Sequence, residues 1–153
     1  MELVKSGEIR FMSHYDFSPF CPEVTPQMTS WITICDTCKR PGWDPAAAEM
    51  TDGERFAILV EAEAVATVRV RTRRVSCTMG CERACNVVVQ GRGKFGYSLG
   101  MFEPGTEAAA AIVAWAALHA ESETGQVPYR QWPQGVKGHF VSRQAPLPLD
   151  DPS

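Results

Sequence analysis

The strongest constraint on this fold is a strand, helix, strand order over residues 29–76 in which both strands run out into cysteines. Residues 29–34 are β-branched and aromatic, the composition of a short strand. The strand stops at Cys35-Asp36-Thr37-Cys38-Lys39-Arg40, because Pro41-Gly42 marks a turn. Thr51 and Glu54 have capping-box spacing, and Phe56, Leu59, Val60 and Ala64 recur at helical intervals, which predicts a helix over 52–64. Residues 66–76 form the second strand, followed at once by Cys77-Thr78-Met79-Gly80-Cys81-Glu82-Arg83-Ala84-Cys85. Strands joined by one such helix lie parallel through a right-handed crossover, so their carboxyl ends sit side by side. Five of the six cysteines then meet at one sheet edge.

Beyond this unit, residues 86–90 and 95–99 flank Gly91-Arg92-Gly93-Lys94 and read as an antiparallel hairpin. That glycine loop lacks a Gly-Lys-Ser or Gly-Lys-Thr ending and a GxGxxG pattern, so its glycines serve a turn and not a phosphate. Residues 106–122 form an alanine-rich helix with Ala109, Ile112, Val113, Ala116, Ala117 and Ala120 inward and Gly125 as its stop. The order strand, helix, strand, strand, strand, helix buries one sheet face under two helices. The expectation is an α/β, thioredoxin-like fold: a four-stranded mixed sheet, two main helices on one face, and an irregular C-terminal cap. Residues 1–28, broken by prolines at 19, 22 and 26, make an N-terminal arm. Residues 29–125 are the metal-binding domain, and 126–153, rich in proline and glycine, are the cap and tail.

Fifteen basic against eighteen acidic residues give a charge of −3, which offers no global case for nucleic acid. Arg69, Arg71, Arg73 and Arg74 read as one solvated strand face. No apolar run reaches about 18 residues and no charged start leads into one, so the expectation is a cytoplasmic protein without a membrane partner. There, clustered cysteines serve metal or redox chemistry more than lasting disulfides. Paired carboxylates give no catalytic signal: Glu61 and Glu63 fit the outer side of a helix, and no enzymatic role is expected. His14, His119 and His139 are dispersed and read as structural or surface residues, and the four tryptophans as buried area. Cys21, alone between prolines, reads as a bystander.

Two cysteine pairs brought together can hold a [2Fe–2S] cluster, two thiolates per iron, and Cys35, Cys38, Cys77 and Cys81 supply them. Zinc accepts the same four sulfurs at the same spacings, and mononuclear iron is a further occupant. Cys85 is a fifth thiol that can replace Cys38 or Cys81, or be buried at the start of the next strand. Cys35-Asp36-Thr37-Cys38 also has the spacing of a redox-active dithiol, although Pro41-Gly42 delays the helix such a motif expects.

Ile34-Cys-Asp-Thr-Cys-Lys-Arg-Pro-Gly42, the 77–85 cysteine array, Gly93-Lys94-Phe95 and Val127-Pro-Tyr-Arg-Gln-Trp-Pro133 together carry a resemblance. From about Trp31 to Pro146 the chain resembles the predicted metal-binding proteins known as domain of unknown function 1636, related in fold to thioredoxin-like [2Fe–2S] ferredoxins. Cys35, Cys77 and Cys81 match three ligand positions of those ferredoxins; their second cysteine has no counterpart near residue 48, which leaves Cys38, then Cys85, for the fourth. The family's association with cobalamin biosynthesis genes implies a redox or metal-handling role there. The leading expectation is a small [2Fe–2S] electron carrier between unidentified donor and acceptor proteins, with a homodimer left open. A zinc- or cobalt-binding structural or delivery protein is the alternative, and a CxxC thiol oxidoreductase the second.

Overall fold

The computed structural model describes residues 28–148, so Cys21, His14 and nearly all of the N-terminal arm lie outside the described residues. The chain runs β1 (Ser30–Cys35), α1 (Asp52–Ala64), β2 (Val70–Val75), β3 (Val87–Gly91), β4 (Gly96–Leu99), α2 (Thr106–Glu121) and β5 (Phe140–Gln144). One mixed sheet has the order β2-β1-β3-β4-β5. β1 and β2 are parallel, with Cys35 opposite Val75, and the other pairings are antiparallel.

The expected four-stranded thioredoxin-like sheet with an irregular cap is corrected by β5. The C-terminal segment pairs with β4 and makes the sheet five-stranded. β5 has only one half-buried residue, Phe140, and four exposed ones, so it shows no alternation of apolar and polar residues. Its backbone pairing, interrupted by a register shift at Ser98/Leu99, holds it in place. The second strand also begins later than expected. Residues 65–69 turn first, with the Thr67 N–H bonded to the Ala64 carbonyl and the Val70 N–H to that of Thr67.

Ile32, Ile34, Val87, Val89 and Leu99 project to the side covered by the helices. They meet Phe56, Ala57 and Val60 of α1 and Ile112, Trp115 and Ala116 of α2, all fully buried or within 1% of it. Each such aliphatic or aromatic side chain removed from water contributes about 1.5–3 kcal/mol. The capping box forms as its spacing requires: the Thr51 side chain accepts from the Glu54 N–H and the Glu54 carboxylate from the Thr51 N–H. The arginines divide between the faces. Arg71 and Arg73 lie on the uncovered side with Trp31, where Arg73 donates to Thr33 and Gln90. Arg74 instead reaches α1 and grips Glu61 through two bonds of 2.6 and 2.7 Å. No described helix is long and apolar enough to cross a membrane.

Candidate functional site

β1 delivers Cys35 to the carboxyl end of the sheet, where the Asp36 N–H bonds the Val75 carbonyl and turns the chain toward Cys38. The amino end of α1 seats directly on this turn. The Gly53 N–H donates to the Cys38 carbonyl at 2.9 Å, the Thr51 hydroxyl donates to the Asp36 carbonyl, and the Asp52 carboxylate accepts from the Arg40 N–H at 2.7 Å. Gly53 is needed for the approach. A Cβ there would lie 2.2 Å from the Cys35 oxygen and 2.9 Å from the Cys38 nitrogen.

Cys35 and Cys38 are neighbours in this turn and are 1% and 2% exposed. Burial pushes the Cys35 thiol up, but the Thr37 hydroxyl, Cys38 and the backbone N–H groups of Thr78 and Thr37 outweigh it and hold the thiol below its ordinary value. Cys38 is pushed up to about 12, first by burial and then by Cys35, against the Asn86 backbone N–H. Asn86 is itself buried and bridges the site: its Nδ2 donates to Cys38 Sγ at 3.1 Å and to the Gly80 carbonyl at 2.9 Å, while its Oδ1 bonds the Thr78 hydroxyl. The loop after β2 is thereby folded over the sulfur pair.

The other thiols on that loop divide by burial. Cys77 and Cys81 are exposed; the Met79 N–H lies 3.3 Å from Cys77 Sγ. Cys85 is fully buried and backbone-paired with Phe102 in both directions. Burial, then the Asp52 carboxylate, pushes its thiol up to about 12. Among the described residues no set of three or more Cys, His, Asp or Glu side chains is disposed to hold one metal ion. The Cys35–Cys38 pair brings two soft sulfur donors near each other. Cys77 and Cys81 hang on the covering loop without joining them in one set.

Asn86, Gly53, Thr37 and Asp52 shape the site and were not legible as functional residues. Two signals existed. One is an asparagine standing between Cys85 and the apolar run that follows it, the other a glycine in the first turn of a helix, where alanine has the higher propensity. Of the histidines, His119 is fully buried between the Ser30 hydroxyl and the Phe95 carbonyl, and His139 stacks on Phe102 and bonds the Gly100 carbonyl.

The family model described as "Protein of unknown function (DUF1636)" matches residues 32–146, well over half of the chain. No curated protein and no solved structure matches it.

Proposed function

The chain belongs to the DUF1636 family, and from that premise we propose that it binds a soft divalent ion of the zinc or cobalt class through cysteine thiolates, in a structural or metal-delivery role. The observation that carries this reading is a buried amide donor aimed at one of two buried, neighbouring sulfurs: Asn86 Nδ2 donates to Cys38 Sγ at 3.1 Å. A neutral thiol is a weak acceptor, whereas a metal-bound thiolate is normally surrounded by such donors. That donor follows directly on the segment that carries Cys77, Cys81 and Cys85. Cys35 and Cys38 are the first two ligands, Cys77 and Cys81 the candidates to complete the set, and Cys85 the reserve. Bound there, the ion ties the turn to the loop, and in a delivery role it is itself the cargo. An iron–sulfur cluster draws on the same thiols and is the redox version of this reading, with an electron donor and acceptor as its partners.

The test is cobalt titration of the reduced protein, with zinc, iron and acid-labile sulfide measured on the protein as purified. The expected result is one ion per chain with thiolate-to-cobalt charge-transfer absorption, lost in Cys35→Ser and Cys38→Ser and retained in Cys21→Ser. Two irons with two sulfides per chain would shift the reading to the cluster. Absence of every metal, before and after reconstitution, refutes both.

A second reading rests on the fact that Cys35 and Cys38 are neighbours while the other thiols do not join them. In it the pair forms a disulfide, giving up two electrons and two protons to a partner disulfide that becomes a dithiol. The near-complete burial of both sulfurs opposes direct attack by a partner, which favours the metal. A reversible loss of two hydrogens confined to the Cys35–Cys38 peptide, without metal, would establish the dithiol instead.

A further inference from the structure

Far from the thiols in sheet order, β5 forms one edge of the sheet, and among the described residues no strand pairs with its outer side. A cleft of about 550 Å³ runs between this strand and the segment that follows α2. Tyr97, Val127, Trp132 and Phe140 give it aromatic and aliphatic walls, and Ser142 and Arg143 its polar rim. No carboxylate lines it, and Arg143 makes no ion pair among the described residues. Lys137, a second such cation, lies over the exposed ring of Tyr129, which packs on Trp132.

The two sheet edges are built differently. β2, at the opposite edge, carries Arg71, Arg73 and Arg74 in six residues, the kind of charge density that discourages strand addition. β5 has one charge and an exposed Val141. An added strand would continue the sheet, with alternate side chains turned to the helix side, over the aromatic cleft.

We propose that β5 and its cleft bind an extended acidic segment of a partner protein, which adds a sixth strand, packs an aromatic side chain against the Trp132–Phe140 pair, whose ring centroids lie 4.2 Å apart, and places a carboxylate on Arg143. A second copy of this chain fits less well. Antiparallel self-pairing centred on Ser142 would set the two Arg143 side chains on diagonal positions roughly 7–8 Å apart, a like-charge contact. An acidic strand meets the same arginine with the opposite sign.

The probe is the acetylated, amidated heptapeptide Thr-Glu-Thr-Phe-Thr-Glu-Thr, which presents Glu, Phe and Glu on one face in either strand direction. Its lysine counterpart and two versions N-methylated on opposite sets of alternate amides serve as controls. Titrated into the ¹⁵N-labelled full chain, the glutamate peptide is expected to move the Val141 and Arg143 amides saturably. One N-methylation phase abolishes this effect and the other leaves it, because only one set of amides faces the edge. Arg143→Glu weakens the glutamate peptide by about tenfold and makes the lysine peptide the better ligand. Absence of saturable shifts, equal binding of both N-methylated peptides, or indifference to the charge at 143 overturns the proposal. A dimer in sedimentation that Ser142→Pro dissolves assigns the edge to a second copy and also overturns it.

Discussion

Gly53→Ala sets two well-defined effects against each other. Alanine is favoured over glycine in helices by about 1 kcal/mol, and α1 is otherwise a regular, box-capped helix, so propensity alone predicts a more stable protein. The structure predicts the opposite. The new Cβ would lie 2.2 Å from the Cys35 carbonyl oxygen, 2.9 Å from the Asp36 carbonyl carbon and 2.9 Å from the Cys38 nitrogen, all backbone atoms that no rotamer change can move. The helix end and the turn must separate by about an ångström or more to restore contact distance, which disturbs the Gly53-to-Cys38 and Thr51-to-Asp36 hydrogen bonds together. Overpacking costs about 1–3 kcal/mol, and each hydrogen bond lost adds roughly 1 kcal/mol. With both bonds lost and the propensity gain subtracted, a net loss of about 2–4 kcal/mol remains. Urea unfolding of the reduced, metal-free protein measures it, and cobalt titration of the same variant should show weakened binding because the sulfur pair is displaced. A Gly53→Ala protein as stable as the parent or more so would refute the close seating of α1 on the thiol turn.

Three other perturbations address separate contacts. Asn86→Ala removes the donor to Cys38 and Gly80 and should cost about 1–3 kcal/mol while speeding alkylation of Cys38, read by mass spectrometry of the labelled peptide. Burial, only partly opposed by the Phe95 carbonyl, holds the His119 pKa below its ordinary 6.5. The unfolded chain therefore binds this proton more readily, so the contribution is complete above 6.5 and is lost as pH falls through the folded value. The urea midpoint should drop between pH 7.5 and 5, and the drop should be smaller in His119→Gln; an equal drop in both proteins would dismiss the histidine as its source. Met79 sits at φ 59° with its side chain 90% exposed, so Met79→Asn should stabilise by roughly 0.5–1 kcal/mol, and no gain would mean the left-handed turn is not kept in solution.

The parts of the fold that follow from local rules were readable in the chain. α1 is announced by Thr51, Glu54 and its apolar spacing, and the β3–β4 hairpin by its glycine turn. β5 obeys no local rule: Val141 to Gln144 are exposed, and the strand exists because β4 offers a partner. The site divides in the same way. Grouping of the cysteines at one sheet end follows from the parallel β1–β2 pairing, which the crossover requires. Which sulfurs become neighbours depends on contacts distant in sequence. Cys85 is drawn into the core by its two backbone bonds to Phe102, and the Met101 N–H fastens Arg83 beside it. Those contacts carry no periodic signature.

The two halves of the thiol site are held by different kinds of contact, and this bears on how a metal would be taken up. The Cys35–Cys38 half is fixed by backbone groups: the sheet on one side, the amino end of α1 on the other, with a glycine that leaves no gap between them. Both thiols are buried beneath these contacts, so the proposed ion would order little that is not already held. The half bearing Cys77 and Cys81 is tethered by the Asn86 side chain, by the Thr37 hydroxyl on the Ser76 carbonyl and by the Met101 N–H on the Arg83 carbonyl, and its thiols face solvent. Recruiting either of them requires the loop to exchange those hydrogen bonds for sulfur–metal bonds. For the ion proposed above, such a site would offer a fixed pair of ligands and a detachable pair, and this is the argument for proposing delivery over a closed structural site.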